Sequence, residues 1–268
     1  MARLFPPETD RYAWGQRFFR RLAGWQALKP EQWMGFWIMY GAGVATRNGA
    51  RDRYYFWDFS HWVLPVLFTF ILTILVAYLF KRSKVLDIQV LQSKPYIGAI
   101  IYLVIGVVLF MSGWAGNPLT GLYVGFGYFL ALLSIYAVFM VPLEEKDDDR
   151  WFIGDQKKRL QWSGLATLLA LVAMVIGIMM DDPVVSTASA VWLPFPLVAL
   201  IAPHARHIRR CRIYGIFIYG FFIAMRAPWL LVYMFILYHG LRKYNYFRYG
   251  IVKPTLIIEV PKDEDETS

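Results

Sequence analysis

The sequence predicts an all-α integral membrane protein, a polytopic helical bundle of about six or seven membrane segments, some of them short, kinked or re-entrant. Three observations lead there. The chain is 58% hydrophobic and 18% aromatic, with a mean hydropathy of +0.42, well outside the balance of a soluble domain. Several of its uncharged runs approach roughly twenty residues, the length that spans a hydrocarbon core. Its Lys and Arg residues, which give a formal net charge of +9, lie mostly in loops beside those runs, where the positive-inside rule places them. The charge therefore reads as topology, and nucleic acid is not a predicted partner. A single cysteine, Cys211, excludes an intramolecular disulfide framework and a cysteine-based metal cluster. The N-terminus carries prolines and acids before any apolar run, so it does not read as a cleavable signal peptide.

Residues 1–30 form a basic interfacial segment. Within RYAWGQRFFRRLAGWQAL, at 11–28, Trp14, Phe18, Leu22 and Trp25 share one helical face and Arg17 and Arg20 turn to its flank, although Arg21 intrudes on the apolar side. The pattern is that of an amphipathic helix on a membrane surface, with partner docking as the alternative. Residues 31–241 form the transmembrane domain. Trp33–Thr46 is uncharged but short, and reads as a re-entrant or very short span in which Gly41 and Gly43 allow close helix packing. The aromatic and charged segment 51–62 suits a water–membrane interface. Clearer spans then follow at about Phe56–Phe80, Pro95–Trp114, Leu119–Val141 and Trp162–Met180; the third carries Gly121 and Gly125 at small-xxx-small spacing. Asp181, Asp182 and Pro183 end the fourth of these and are expected to face water. A shorter span, about Ser189–Ala202, contains Pro194 and Pro196 and predicts a broken helix.

The loop at 143–161 is acidic first and basic last. Its carboxylates lack the alternating ligand spacing and turn glycine of a calcium loop, so a solvated or docking loop is expected. The most basic patch is PHARHIRRCR at 203–212, the strongest cytoplasmic marker. With this loop, 81–94 and 143–161 placed inside, the turns at 47–60, 114–120 and 181–188 fall outside. Both termini are then cytoplasmic, in a bacterial inner (plasma) membrane, provided that Trp33–Thr46 crosses and Ile213–His239 enters and returns. Residues 242–268 form a cytoplasmic tail in which TLIIEV, 255–260, could extend a partner's sheet.

The stretch from Ile213 to Tyr238 is apolar except for Arg226, which is followed two residues later by Pro228. As a single helix it would be roughly 42 Å long, so it is either one kinked span or two pieces that dip in and return. A charge at membrane depth is costly and marks Arg226 as the leading candidate for binding an anionic group. Apart from Asp58 in the interfacial start of the first, no Asp or Glu lies within the clear spans to pair with it, which argues against an internal proton relay. Arg17, Arg20, Lys157, Lys158, Arg159, Arg206, Arg209 and Arg210 are candidates for binding anionic lipid headgroups or partner proteins. Asp58 and His61, one helical turn apart, could join His239 as metal ligands, but only if Ile213–His239 crosses once. His204 and His207, set among arginines, read as charged or solvated. Nucleotide-binding, nucleophile-elbow and zinc-protease motifs are missing, and no cofactor is implied. The expectation is a non-enzymatic subunit of a larger membrane assembly, of the secretion, conjugation or energy-transducing kind, with the bilayer and other membrane subunits as partners. A small transporter or channel for an anionic substrate held by Arg226 is the alternative, and a membrane metalloenzyme the third reading.

Overall fold

A computed structural model describes residues 4–23, 30–80, 92–145, 151–202 and 204–252. In chain order the described helices are α1 (Asp10–Ala23), α2 (Pro30–Arg51), α3 (Val63–Phe80), α4 (Pro95–Trp114), α5 (Pro118–Phe139), α6 (Gln156–Met179), α7 (Pro183–Trp192), α8 (Pro194–Ile201), α9 (Ala205–Ala224) and α10 (Trp229–Tyr249). Strands β1 (Leu143–Glu145) and β2 (Trp151–Ile153) pair antiparallel between α5 and α6, so a small hairpin stands where a solvated loop was expected. Among the described residues four helices are long and apolar enough to cross a membrane: α4, α5, α6 and the α7–α8 pair taken together as Pro183–Ile201. This is an all-α membrane bundle in architecture.

The helix starts follow from local chemistry. Asn117 accepts from the amides of Leu119 and Thr120, Asp155 from those of Lys157 and Lys158, and Asp182 from that of Val184. Each satisfies amides that the first helical turn leaves free, and Pro118 and Pro183 occupy first-turn positions where no amide is needed. The break between α7 and α8 falls at Leu193, before Pro194 and Pro196, whose rings cannot continue the hydrogen-bond ladder. Gly250, at φ 68°, ends α10 in the left-handed conformation.

Three expectations are revised, and of the two shapes open for Ile213–His239 the structure has the hairpin. Trp33–Thr46 is the centre of a longer helix, α2, whose 22 residues extend about 33 Å. The first clear span begins at Val63 rather than Phe56, because 52–62 folds into turns, with Trp57 and His61 at φ 56° and 58° and the Trp57 amide donating to the Met225 carbonyl at 2.8 Å. The short span at Ser189 starts earlier, at Pro183. Ile213–His239 is a helical hairpin, with α9 and α10 joined by a turn at 225–228.

Small residues set the packing. A side chain at Gly43 would strike the Phe110 carbonyl, and one at Gly113 the Tyr40 carbonyl, so the α2 and α4 backbones cross in contact. Gly121 and Gly125 on α5 receive Met111 and Phe110 of α4. On α6 the small residues Ser163, Ala166, Ala170 and Ala173 are fully buried. Ser134 donates to the Ala166 carbonyl at 2.7 Å and itself accepts from the Trp192 indole at 2.9 Å, tying α5 to α6 and α7. Ser189 and Tyr219 share a 2.8 Å hydrogen bond between α7 and α9.

The bundle has two chemically distinct ends. At one, Arg53 pairs with Asp181, and the hairpin tip joins the 52–57 turn. At the other, Arg159 donates to the Ala199 and Leu200 carbonyls, Arg212 to those of Phe139 and Val141, and Tyr136 to that of Pro95. Of the turns expected in two sets, 52–57 and 181–182 thus meet at one end and the described parts of 143–161 and 203–212 lie at the other, while 81–91 lies outside the described residues.

Outside the bundle, α1 lies on the C-terminal half of α10. It docks through Tyr12, Gly15 and Phe19, with Phe19 stacked on Phe247 at 5.5 Å, and not through the expected apolar stripe. Trp14 and Phe18 stack on one another at 5.6 Å on the exposed side. Trp25, Asp147–Asp149 and the TLIIEV run lie outside the described residues.

Candidate functional site

The site is built from three segments that meet at the hairpin tip. α9 ends at Ala224, and the turn it enters places the Arg226 side chain between α2 and the start of α7, where it is 4% exposed. Glycine 49 makes the space: a Cβ there would collide with the guanidinium. Arg226 Nη2 donates to the Arg53 carbonyl at 3.1 Å, its Cζ lies 5.0 Å from the centre of the Phe56 ring, and Nη1 is 3.8 Å from Asp182 Oδ1. The backbone is held as well, because the Asn48 side-chain amide donates to the Arg226 carbonyl at 2.9 Å.

Asp182 is the partner that the sequence did not supply from within a span. It belongs to the turn before α7, and it does not simply face water: its side chain is 14% exposed. Besides capping α7, it accepts from the Tyr128 hydroxyl at 3.0 Å. Its neighbour Asp181 behaves as expected, forming an exposed two-point pair with Arg53 at 2.6 and 2.9 Å. The signal in the sequence was Asp-Asp-Pro, read as a helix stop. Its second aspartate is equally a helix cap, and a cap on a buried turn is a buried carboxylate.

Two features decide what this junction can do. The 3.8 Å separation is longer than a hydrogen bond, so Arg226 and Asp182 are an electrostatic pair. Arg226 Nε is buried without an acceptor among the described residues. Around them stand the Phe56 ring, the Tyr128 hydroxyl and the Arg53 carbonyl.

No family model, curated protein or solved structure matches this chain.

The other candidates separate into surface and interior. Arg17 and Arg20 on α1, Lys157 and Lys158 on the first turn of α6, and Arg210 on α9 are exposed, and Arg209 is half-buried. Arg159 is interior at 6% exposure; its guanidinium caps the carbonyls that end α8, which takes it away from headgroups. Arg212, which sequence reasoning passed over, does the same for α5, at 2.6 Å from the Val141 carbonyl. The Arg206 side chain lies outside the described residues. His204 is exposed, whereas His207 is half-buried, with Nε2 3.0 Å from the Phe195 carbonyl and 3.2 Å from Cys211 Sγ.

The structure does not gather Asp58, His61 and His239 into a metal site, and among the described residues no three His, Cys, Asp or Glu side chains do so. Asp58 accepts from the Ser60 amide at 2.7 Å and hydroxyl at 2.8 Å. Those bonds hold its carboxyl below the usual range. His239 packs against Phe235, ten residues along α10 from the hairpin tip, about 15 Å of helix.

Proposed function

We propose that the chain is a non-enzymatic integral membrane subunit of a larger assembly in a bacterial inner membrane, of the secretion, conjugation or energy-transducing kind. The observation that carries this reading is the commitment of Arg226 to its own fold. The residue best suited to grip a substrate is 4% exposed and already holds the Arg53 carbonyl, the Phe56 ring and Asp182. It works as a keystone of the fold. What supports a subunit is then the chain's surfaces. α3 turns most of its apolar side chains outward, towards lipid or a neighbouring subunit. Arg17, Arg20, Lys157, Lys158 and Arg210 are placed for anionic headgroups, with both termini on the cytoplasmic side.

The experiment is mild-detergent extraction from native membranes, native-size separation and mass spectrometry of what travels with the protein. Stable partners in fixed ratio are expected; a lone monomer or homo-oligomer would overturn the reading. A second reading, a small transporter or channel for an anionic substrate, is favoured by the buried Arg226 Nε that lacks an acceptor. Under that reading Arg226→Ala abolishes anion uptake in reconstituted vesicles while the protein still assembles.

A further inference from the structure

Between α2, α4, α5 and α9 the bundle holds a partly open cavity of about 60 Å³. Gly35 and Met39 of α2, Ala131 and Ile135 of α5, and Ile216 and Ile223 of α9 form its walls. Four tyrosines also line it, Tyr102, Tyr128, Tyr136 and Tyr219, and three of the hydroxyls are spent on a group outside: Tyr128 on Asp182, Tyr136 on the Pro95 carbonyl and Tyr219 on Ser189. The surface that bounds the space is almost wholly apolar and offers little with which to hold a water. Apolar cavities of this kind stay dry and take hydrocarbon. At about 10–15 Å³ per water-sized group, there is room for roughly four or five methylenes.

We propose that this cavity is a binding site for the acyl chain of a membrane phospholipid. Beyond the composition of the walls, two observations support that occupant. Gly35 forms a notch, since a Cβ there would meet nothing within 4 Å. At the end lined by Phe139 and Met140 the half-buried Arg212 guanidinium lies 5.7 Å from the Phe139 ring centre and donates to the Phe139 and Val141 carbonyls. It keeps its positive charge in doing so, and that charge draws a lipid phosphate to this end while the tail runs along α5 towards Tyr128. The inference rests on the chain being embedded in a membrane, so the test reads both.

The full-length protein is reconstituted in phosphatidylcholine and phosphatidylglycerol vesicles that contain a phospholipid with a diazirine in its acyl chain. After irradiation, the modified residues are mapped. The exposed α3 residues Leu64 and Phe70 report contact with bulk lipid. Ile135, Ile216 and Ile223, at 8%, 5% and 1% exposure, are reached only by a chain inside the cavity. Modification of all three groups is expected. Gly35→Leu, and separately Ala131→Phe from the facing wall, should lower the buried labels at least five-fold and leave those on α3 intact. Label on α3 without label at the three isoleucines overturns the proposal, as does buried label that survives both filled variants. If a filled variant loses its α3 label through misfolding, the wild-type pattern decides. Absence of label from α3 in the wild type would overturn the membrane reading and this site with it.

Discussion

Helices α2 and α3 follow one another in the chain, yet they solve opposite problems. α3, VLPVLFTFILTILVAYLF, is wholly uncharged, whereas α2, PEQWMGFWIMYGAGVATRNGAR, carries Glu31, Arg47 and Arg51. In a soluble protein the first would be the core. Here α2 is the buried one: Phe36 to Ala45 are nearly all buried, with α4, α9 and α10 packed around them. α3 turns Leu64, Leu67, Phe70, Ile71 and Ile74 outward. It is fixed by a narrow inner stripe, where Tyr233 donates to the Val66 carbonyl at 2.8 Å and the Trp37 indole to Thr73 at 2.8 Å. When the surroundings are themselves apolar, hydrophobicity no longer selects what goes inside. Small residues and hydrogen-bonding side chains do.

Substitutions can break that contrast. The largest effect is expected from Gly43→Leu, whose side chain has no room at the α2–α4 crossing. It should destabilise by about 3 kcal/mol, the top of the usual range for overpacking, seen as a lowered thermal transition in detergent. Arg226→Ala should follow at about 2 kcal/mol, because it leaves a mostly buried carboxylate uncompensated. The figure lies below that for a tight buried pair because Asp182 keeps Tyr128 and the Val184 amide. Adding Asp182→Asn should recover part of the loss, and a fully additive double variant would break the pairing. On α3, Leu67→Ala should change stability by less than about 0.5 kcal/mol; a cost as large as that of Gly43→Leu would show that α3 is a core helix.

The smallest effect tests the turn between the two helices. With its folded pKa depressed, Asp58 contributes above its unfolded value, and the contribution fades as pH falls through the folded one. Ser60→Ala keeps the amide bond, the larger cause, and removes the hydroxyl, so it should move the Asp58 titration only part of the way up towards that of a free carboxylate, as followed by NMR of the carboxyl carbon. An unmoved titration would remove the hydroxyl as a cause.

The contrast also explains what could be read in the sequence. α4 and α5 were legible to within two residues at each end because long apolar runs and the turns that bound them are local signals, whereas α6 starts six residues before its apolar run, at Gln156. The glycines of α2 were legible as a packing surface, but not the length of the helix, since Arg47 and Arg51 resemble a span's end. They belong to a helix whose surroundings are protein. Arg226 stood out as an isolated charge in an apolar run. Its partner did not, for Asp182 is 44 residues away in the chain and looks like part of a water-facing turn. Burial of a cap depends on what folds over it, and that is tertiary information. The docked face of α1 was missed for a similar reason: periodicity picked out Trp14 and Phe18, while Gly15 and Phe19 answer to the shape of Phe247.

The arginine at the hairpin tip also imposes a sequence of events on synthesis. The Arg53 carbonyl, Phe56 and Asp182 all precede Arg226 in the chain, so its receptor is already made when the last two helices emerge. Burying that charge in an apolar hairpin is costly by itself, and the waiting junction supplies the partners it lacks. The final hairpin is therefore the latch of the molecule. A chain that stops before Met225 should insert its earlier helices, yet leave Asp182 uncovered and be cleared as an unfinished product.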